Sequence, residues 1–316
     1  MTVVISNPPT EKFSHPTVTA KGETRASVAF TGMKTLWFNT GTLCNIECVN
    51  CYIESSPSND RLVYLSLADI VPYLDELDAV GESGIEIGFT GGEPFMAPEI
   101  IAMLEAALSR GHNVLVLTNA MQPMMRPRVQ EGLLKLRIEY GDRLTLRISL
   151  DHYTKALHDE ERGEGSFALT LKGISWLASN GFRMAIAGRT MWDETEAEAR
   201  AGYRKMLGIL ATDIDAEDPK ELVLFPEMET RDDPPEITTA CWGILDKDPG
   251  EVMCASQRMV VKRKGAGKPS VLACTLIPYD ERFEIGNTLE ESRDPVSLNH
   301  PFCASFCVLG GGSCSA

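Results

Sequence analysis

LWFNTGTLCNIECVNC, residues 36 to 51, joins a β-rich run to three thiols, Cys44, Cys48 and Cys51, with three and two residues between them. Three thiols in so short a segment cannot all face a hydrophobic core, so the run reads as a ligand loop at the end of a strand. Thiolate sulfur is a soft donor that suits zinc, copper(I) or iron–sulfur clusters. Three cysteines leave one corner of a four-iron cluster without a protein ligand. A structural zinc site wants a fourth Cys or His nearby, and neither occurs in the following stretch up to His112. The spacing also differs from four-cysteine ferredoxin runs, which fill every corner.

Outward from this loop the chain alternates short β-rich runs with helix-length amphipathic segments, the pattern of repeated βα units with a parallel sheet. The runs 36–39, 85–89, 113–117, 144–150, 183–187 and 221–225 read as strands. The fold class expected is α/β, a partial (β/α)6 TIM-like barrel. Ser66 and Asp69 predict a capping box, and Gly81 a stop, with Pro72 inside the same helix. Pro98 and Gly111 bracket the next helix, and later helices are expected over about 125–140, 166–180 and 194–210. Residues 1–32, with several prolines and no periodicity, read as a leader or surface strap. The core is expected over 33–230 and a small cysteine-bearing module over 231–316.

In parallel α/β folds ligands bind beyond the carboxyl ends of the strands. The cysteine loop follows the first strand and TGGEP, residues 90–94, the second. Thr118 and Asn119 follow the third, Ser149 and Asp151 end the fourth, and Gly188 with Arg189 ends the fifth. Gly91 and Gly92 remove side chains where a ligand must approach the backbone, although glycine pairs also make ordinary tight turns. Thr118, Asn119, Ser149 and Asp151 can bond ribose hydroxyls or an amino-acid group, or serve as plain caps. The planar fork of Arg189 can grip a carboxylate of a ligand or a surface acid.

The Cys-x3-Cys-x2-Cys run resembles the signature of the radical S-adenosylmethionine (SAM) superfamily. The resemblance implies that Cys44, Cys48 and Cys51 hold a [4Fe-4S] cluster whose fourth iron is chelated by the amino and carboxylate groups of SAM. It further implies that Gly91, Gly92 and Glu93 contact the SAM amino group, with Thr118, Asn119, Ser149, Asp151 and Arg189 as further SAM-binding candidates. Asn50 stands where that superfamily often has an aromatic residue. SLDHYTKALHDEERGEGSF, residues 149–167, is similar to the segment found in members with a SPASM or twitch extension. Here His152 replaces the usual glycine of that motif. Taken alone, His158 reads as a structural or capping residue.

Six further cysteines, Cys241, Cys254, Cys274, Cys303, Cys307 and Cys314, lie beyond an acidic, proline-containing linker near Pro226, Pro234 and Pro235. Cys254, Cys274, the Gly286-Asn287 pair and the terminal group resemble a SPASM/twitch domain, with residues 262–268 as a hairpin tip. Each terminal gap, Cys303-x3-Cys307-x6-Cys314, is one residue longer than a typical SPASM run, and no cysteine follows. The resemblance therefore implies one auxiliary [4Fe-4S] cluster on Cys254, Cys274 and two of the last three, Cys303 and Cys307, with Cys314 as the alternate ligand. A zinc site from the same residues is the plain alternative. Cys241 is a spare ligand, a hydrogen-atom donor to a substrate radical, or simply buried.

A formal charge of −15 over 316 residues argues against nucleic acid or an anionic membrane as partner. There is no signal-peptide pattern and no run near ~18 apolar residues, so a cytoplasmic protein is expected. Nine cysteines in an odd count fit metal ligation better than disulfides. By resemblance, the activity is reductive cleavage of SAM and hydrogen abstraction, with the auxiliary cluster taking part in oxidation or cross-linking. The substrate is a small molecule or a peptide. The absence of a leader-binding domain ahead of the core favours the small molecule, or a peptide delivered by a separate partner. The electron donor is a reductant such as flavodoxin or ferredoxin. Two other readings stand: a peptide maturase or epimerase using Cys241, and a non-catalytic Fe–S scaffold that binds no SAM.

Overall fold

β2 (Thr35–Asn39) follows a two-residue β1 (Ser27–Val28), and all five residues of TLWFN are buried. A strand covered on both faces belongs inside a parallel α/β sheet. In the computed structural model, which describes residues 9–226 and 233–312, β2 is followed by α1 (Leu67–Ala79), β3 (Glu86–Thr90) and α2 (Ile100–Ser109). Next come β4 (Asn113–Thr118), α3 (Pro127–Tyr140), β5 (Leu144–Ser149), α4 (Lys155–Arg162) and α5 (Ser166–Ser179). β6 (Arg183–Arg189), α6 (Glu196–Ile209) and β7 (Leu222–Phe225) complete the repeated units. Six strands therefore lie within two residues of their expected bounds. The short, highly charged α4 has no counterpart in the sequence reading.

β2 to β7 pair in parallel and in chain order, with Phe38 opposite Phe89 and Phe89 opposite Val116. The sheet continues beyond β2. After α7 (Cys241–Leu245), β8 (Gln257–Val261) lies parallel to β2, and β9 (Ser270–Leu272) and β10 (Glu284–Gly286) follow antiparallel. The full order is β10-β9-β8-β2-β3-β4-β5-β6-β7, and among the described residues no pairing of β10 with β7 closes it. The hairpin expected in the C-terminal module thus extends the same sheet as the cysteine loop. The Trp37 indole N–H donates to Gln257 Oε1 at 3.1 Å across the β2–β8 seam.

Local signals explain the element ends. Ser66 and Asp69 form a reciprocal capping box, and α1 runs through Pro72 at the loss of one backbone bond. Gly81 stops it at φ +72°, and the Glu82 N–H returns to the Leu77 carbonyl. The main core, including Phe38, Phe89, Leu104 and Ile148, lies between the sheet and its helices. A second cluster gathers Val252, Phe283, Leu298 and Phe306 with Ala26 and Val28, which lie ahead of β2 in the chain. β1 pairs antiparallel with β11 (Val296–Ser297), and buried Arg25 ion-pairs with Glu236. Among the described residues no helix is long and apolar enough to cross a membrane.

Candidate active site

The loop leaving β2 is tied down before it reaches its first cysteine. The Gly92 N–H donates to the Gly41 carbonyl at 2.8 Å, and the Glu93 N–H to the Leu43 carbonyl at 3.3 Å. Backbone can come this close only because residues 91 and 92 lack side chains. A Cβ at Gly91 would lie 2.5 Å from the Gly41 oxygen, and one at Gly92 2.3 Å from the Leu43 oxygen. Cys44, Cys48 and Cys51 then line one cavity of about 190 Å³, together with Gly91 and Gly92 from the next loop. Thr118, Asn119, Ser149, Asp151 and Arg189, named from three separate stretches of sequence, line it too.

Burial pushes the Cys44 thiol up to about 12 and raises that of Cys48. Such thiols stay protonated unless a cationic group takes up the charge, which is the condition a metal cluster supplies. The acids of the cavity are already committed. Arg162 grips Asp151 with both arms, at 2.5 and 3.0 Å, and Arg189 pairs with Glu161 at 2.8 Å. Among the described residues no three His, Cys, Asp or Glu side chains gather as ligands of a single ion. Three soft thiols around a glycine-walled cavity, with the hard oxygens engaged elsewhere, fit a sulfur-ligated iron cluster with a small ligand beside it.

Glu93 does not line the cavity. It is 1% exposed and lies behind the wall, where its carboxylate accepts from the Phe95 N–H at 3.1 Å, the Asn119 N–H at 2.8 Å and the Thr118 hydroxyl. Burial pushes its carboxyl up to about 7 against those bonds. In this arrangement Glu93 braces the end of β4 against the glycine loop. Asn119 in turn donates from Nδ2 to Asn45 Oδ1 at 2.9 Å, tying β4 to the cysteine loop.

Burial opposes the charge on Asp151, and the Arg162 guanidinium outweighs it, holding the carboxyl below its ordinary range. Arg162 is one of the residues by which 149–167 resembles the SPASM/twitch segment, though the resemblance gives it no partner; Glu161 carries no signal beyond the charge of α4. His152, at the departure from the motif, faces away from the cavity. Its Nε2 meets Glu194 at 3.0 Å, and its ring packs on Tyr153 and Trp192. His158 is fully buried, and burial with Arg162 nearby lowers it to about 4, so it is a neutral core residue.

A second, small cavity is lined by Cys254, Cys274, Cys303 and Cys307, with Val252, Phe283 and Phe302 among its walls. Burial pushes Cys254 and Cys303 up to about 12. Cys303 and Cys307 sit on one π-helix, Cys303–Leu309, whose Cys307 and Val308 carbonyls accept from Lys247 Nζ at 2.7 and 3.2 Å. Between those cysteines, Phe306 lines the first cavity, as do Phe225, Pro226 and Leu276. Cys241 lines neither cavity; its sulfur accepts from the Thr238 N–H at 3.4 Å. Cys314 lies outside the described residues.

Residues 38–201 match the family model described as the Radical SAM superfamily. The chain is 36% identical over 155 residues to the subtilosin biosynthesis protein AlbA of Bacillus subtilis, covering 48% of this chain and 32% of AlbA. It is 32% identical over 139 residues to the mycofactocin maturase MftC of Mycobacterium ulcerans, covering 44% of this chain and 35% of MftC. The chain therefore spans about a third of the length of these curated relatives. Among solved structures it is similar in fold to Streptococcus suis SuiB bound to S-adenosylmethionine. That likeness has a TM-score of 0.60 at 14% identity and covers 84% of this chain and 66% of SuiB.

Proposed function

The chain belongs to the radical SAM superfamily, and on that premise we propose that it is a SAM-dependent radical oxidoreductase acting on a peptide. The observation that carries this reading is the convergence of Cys44, Cys48 and Cys51 with Gly91 and Gly92 on one cavity at the carboxyl ends of the strands. A [4Fe-4S] cluster with SAM supplies reductive cleavage to a 5′-deoxyadenosyl radical able to take hydrogen from an unactivated carbon. The three cysteines would hold that cluster, and Gly91 and Gly92 leave room for its ligand. Asn119 and the Asp151–Arg162 pair fix the polar rim. Phe225, Pro226, Leu276 and Phe306 form the apolar wall that excludes water on the substrate side.

Cys254, Cys274, Cys303 and Cys307 are proposed to hold an auxiliary [4Fe-4S] cluster, because they share one apolar cavity. A cluster held there would supply an electron acceptor for a net oxidation or cross-link, and Phe306, next to Cys307, lines the first cavity. Cys241, away from the wall, is not favoured as a hydrogen donor. The relatives AlbA and MftC are named for a bacteriocin and for mycofactocin maturation, and SuiB has been seen with a precursor peptide. These names support a peptide over a small molecule. A cytoplasmic setting with flavodoxin or ferredoxin as reductant completes the proposal. Reconstituted protein given SAM and dithionite should release 5′-deoxyadenosine. Reconstituted protein that carries iron and sulfide yet releases none refutes the reading.

A further inference from the structure

We propose that Glu161 is a positioning residue for the cysteine loop, a role that rests on the reading of Cys44, Cys48 and Cys51 as cluster ligands. Between the second and third cysteines the chain makes a two-residue excursion, Val49 and Asn50. The Val49 side chain is 74% exposed, so packing does not hold this turn. Its backbone is held from α4 instead. The Val49 N–H donates to the Glu161 carbonyl at 2.9 Å. The Asn50 N–H donates to Glu161 Oε1 at 2.9 Å, and Asn50 Nδ2 donates to Oε2 at 2.8 Å. One residue thus takes three donors from the span between two cysteines.

Arg189, at the end of β6, closes the ring. Its Nη1 pairs with Glu161 Oε1 at 2.8 Å, and its Nη2 donates to the Asn50 carbonyl at 3.3 Å. Glu161 is 3% exposed, and a buried carboxylate with a charged partner and two amide donors has little freedom to turn. The next residue on α4, Arg162, holds Asp151 beyond β5. Adjacent residues of one short helix therefore set the cysteine loop in register with the ends of β5 and β6. The spacing of the Cys48 and Cys51 sulfurs follows from the shape of the turn they flank, and Glu161 fixes that shape.

The test uses the full chain with Glu161→Leu, Asn50→Leu, the double variant and Glu161→Gln. In reduced, metal-free protein, hydrogen exchange at the Asn50 amide, whose acceptor is the Glu161 side chain, and alkylation of Cys48 and Cys51 are followed by mass spectrometry. Glu161→Leu should accelerate both by about tenfold or more, the effect of losing one net hydrogen bond to a charged acceptor. Cys254 and Cys303 should label at the wild-type rate, which separates a local clasp from general unfolding. The double variant should be no faster than Glu161→Leu, and Glu161→Gln, which keeps an acceptor oxygen, should recover most of the protection. In reconstituted protein Glu161→Leu should lose iron to a chelator several-fold faster. Wild-type exchange and labelling in Glu161→Leu, or equal acceleration at Cys254 and Cys303, overturns the proposal. Loss of loop protection as expected in a chain that binds no iron supports the clasp and refutes the cluster reading.

Discussion

Gly92→Ala tests the glycine wall most directly. The added methyl would sit 2.3 Å from the Leu43 carbonyl oxygen, 2.6 Å from its carbon and 2.9 Å from the Thr42 oxygen. Carbon contacts settle near 3.5 Å, so the two loops must part by about 1 Å. None of the three atoms belongs to a flexible side chain, and both strands of contact are fixed by the Gly92-to-Gly41 and Glu93-to-Leu43 bonds. Overpacking costs about 1–3 kcal/mol, and weakening two backbone bonds about 1 kcal/mol more, for a loss of roughly 2–4 kcal/mol. The displaced carbonyl precedes Cys44, so SAM affinity of the reconstituted protein should fall by tenfold or more. Urea unfolding of the metal-free chain and calorimetric titration of SAM read the two effects. Gly208→Ala is the control: its Cβ meets nothing within 4 Å on α6, and it should gain about 0.5–1 kcal/mol. A Gly92→Ala protein within about 0.5 kcal/mol of wild type, binding SAM as tightly, would refute the account of the wall.

Three further outcomes follow from particular contacts. Asp159 accepts from the Gly165 and Phe167 N–H groups and the Ser166 hydroxyl, capping α5 from outside, and Asp159→Ala should lower stability by about 2 kcal/mol in urea titration at pH 7. Burial opposes its charge, but Lys155 and those donors hold the carboxyl well below its ordinary 3.8, so the contribution is full above that value and is lost as pH falls further. A wild-type minus Asp159→Ala difference that grows toward low pH would contradict this sign. Arg162→Lys replaces a two-armed grip on Asp151 with a single point charge, and should cost about 1–3 kcal/mol and weaken SAM binding, read by thermal unfolding and titration. Anaerobic reconstitution should give about eight irons per chain, and Cys254→Ser with Cys274→Ser about four; an unchanged count would rule out the auxiliary cluster on those residues.

The repeated units were legible because each strand is a short apolar run between a glycine or capping signal and an amphipathic helix, as at Gly81 and Ser66. The place of β8 was not legible. Parallel pairing with β2 joins residues more than two hundred positions apart, and nothing local in QRMVV names its neighbour. The rim residues could be picked out because strand ends share one side of a parallel sheet. What each does there depended on partners the sequence hides. Glu93 turned out to brace a wall, and Asp151 is held by an arginine from a helix whose charged composition gave no core-facing stripe. Glu161 carried no motif; its importance arises from an accident of proximity to Val49 and Asn50 that only the folded chain reveals.

The π-helix from Cys303 to Leu309 presents Phe306 to one cavity and its flanking cysteines to another. A seven-residue turn is thus a party wall between two rooms. Drift in substrate preference can exchange the side chain at 306, but an insertion or deletion that reshaped the first room would also shift the fittings of the second. Variants of this protein selected for new substrates should therefore accumulate substitutions at 306 while the distance from 303 to 307 along the chain stays fixed.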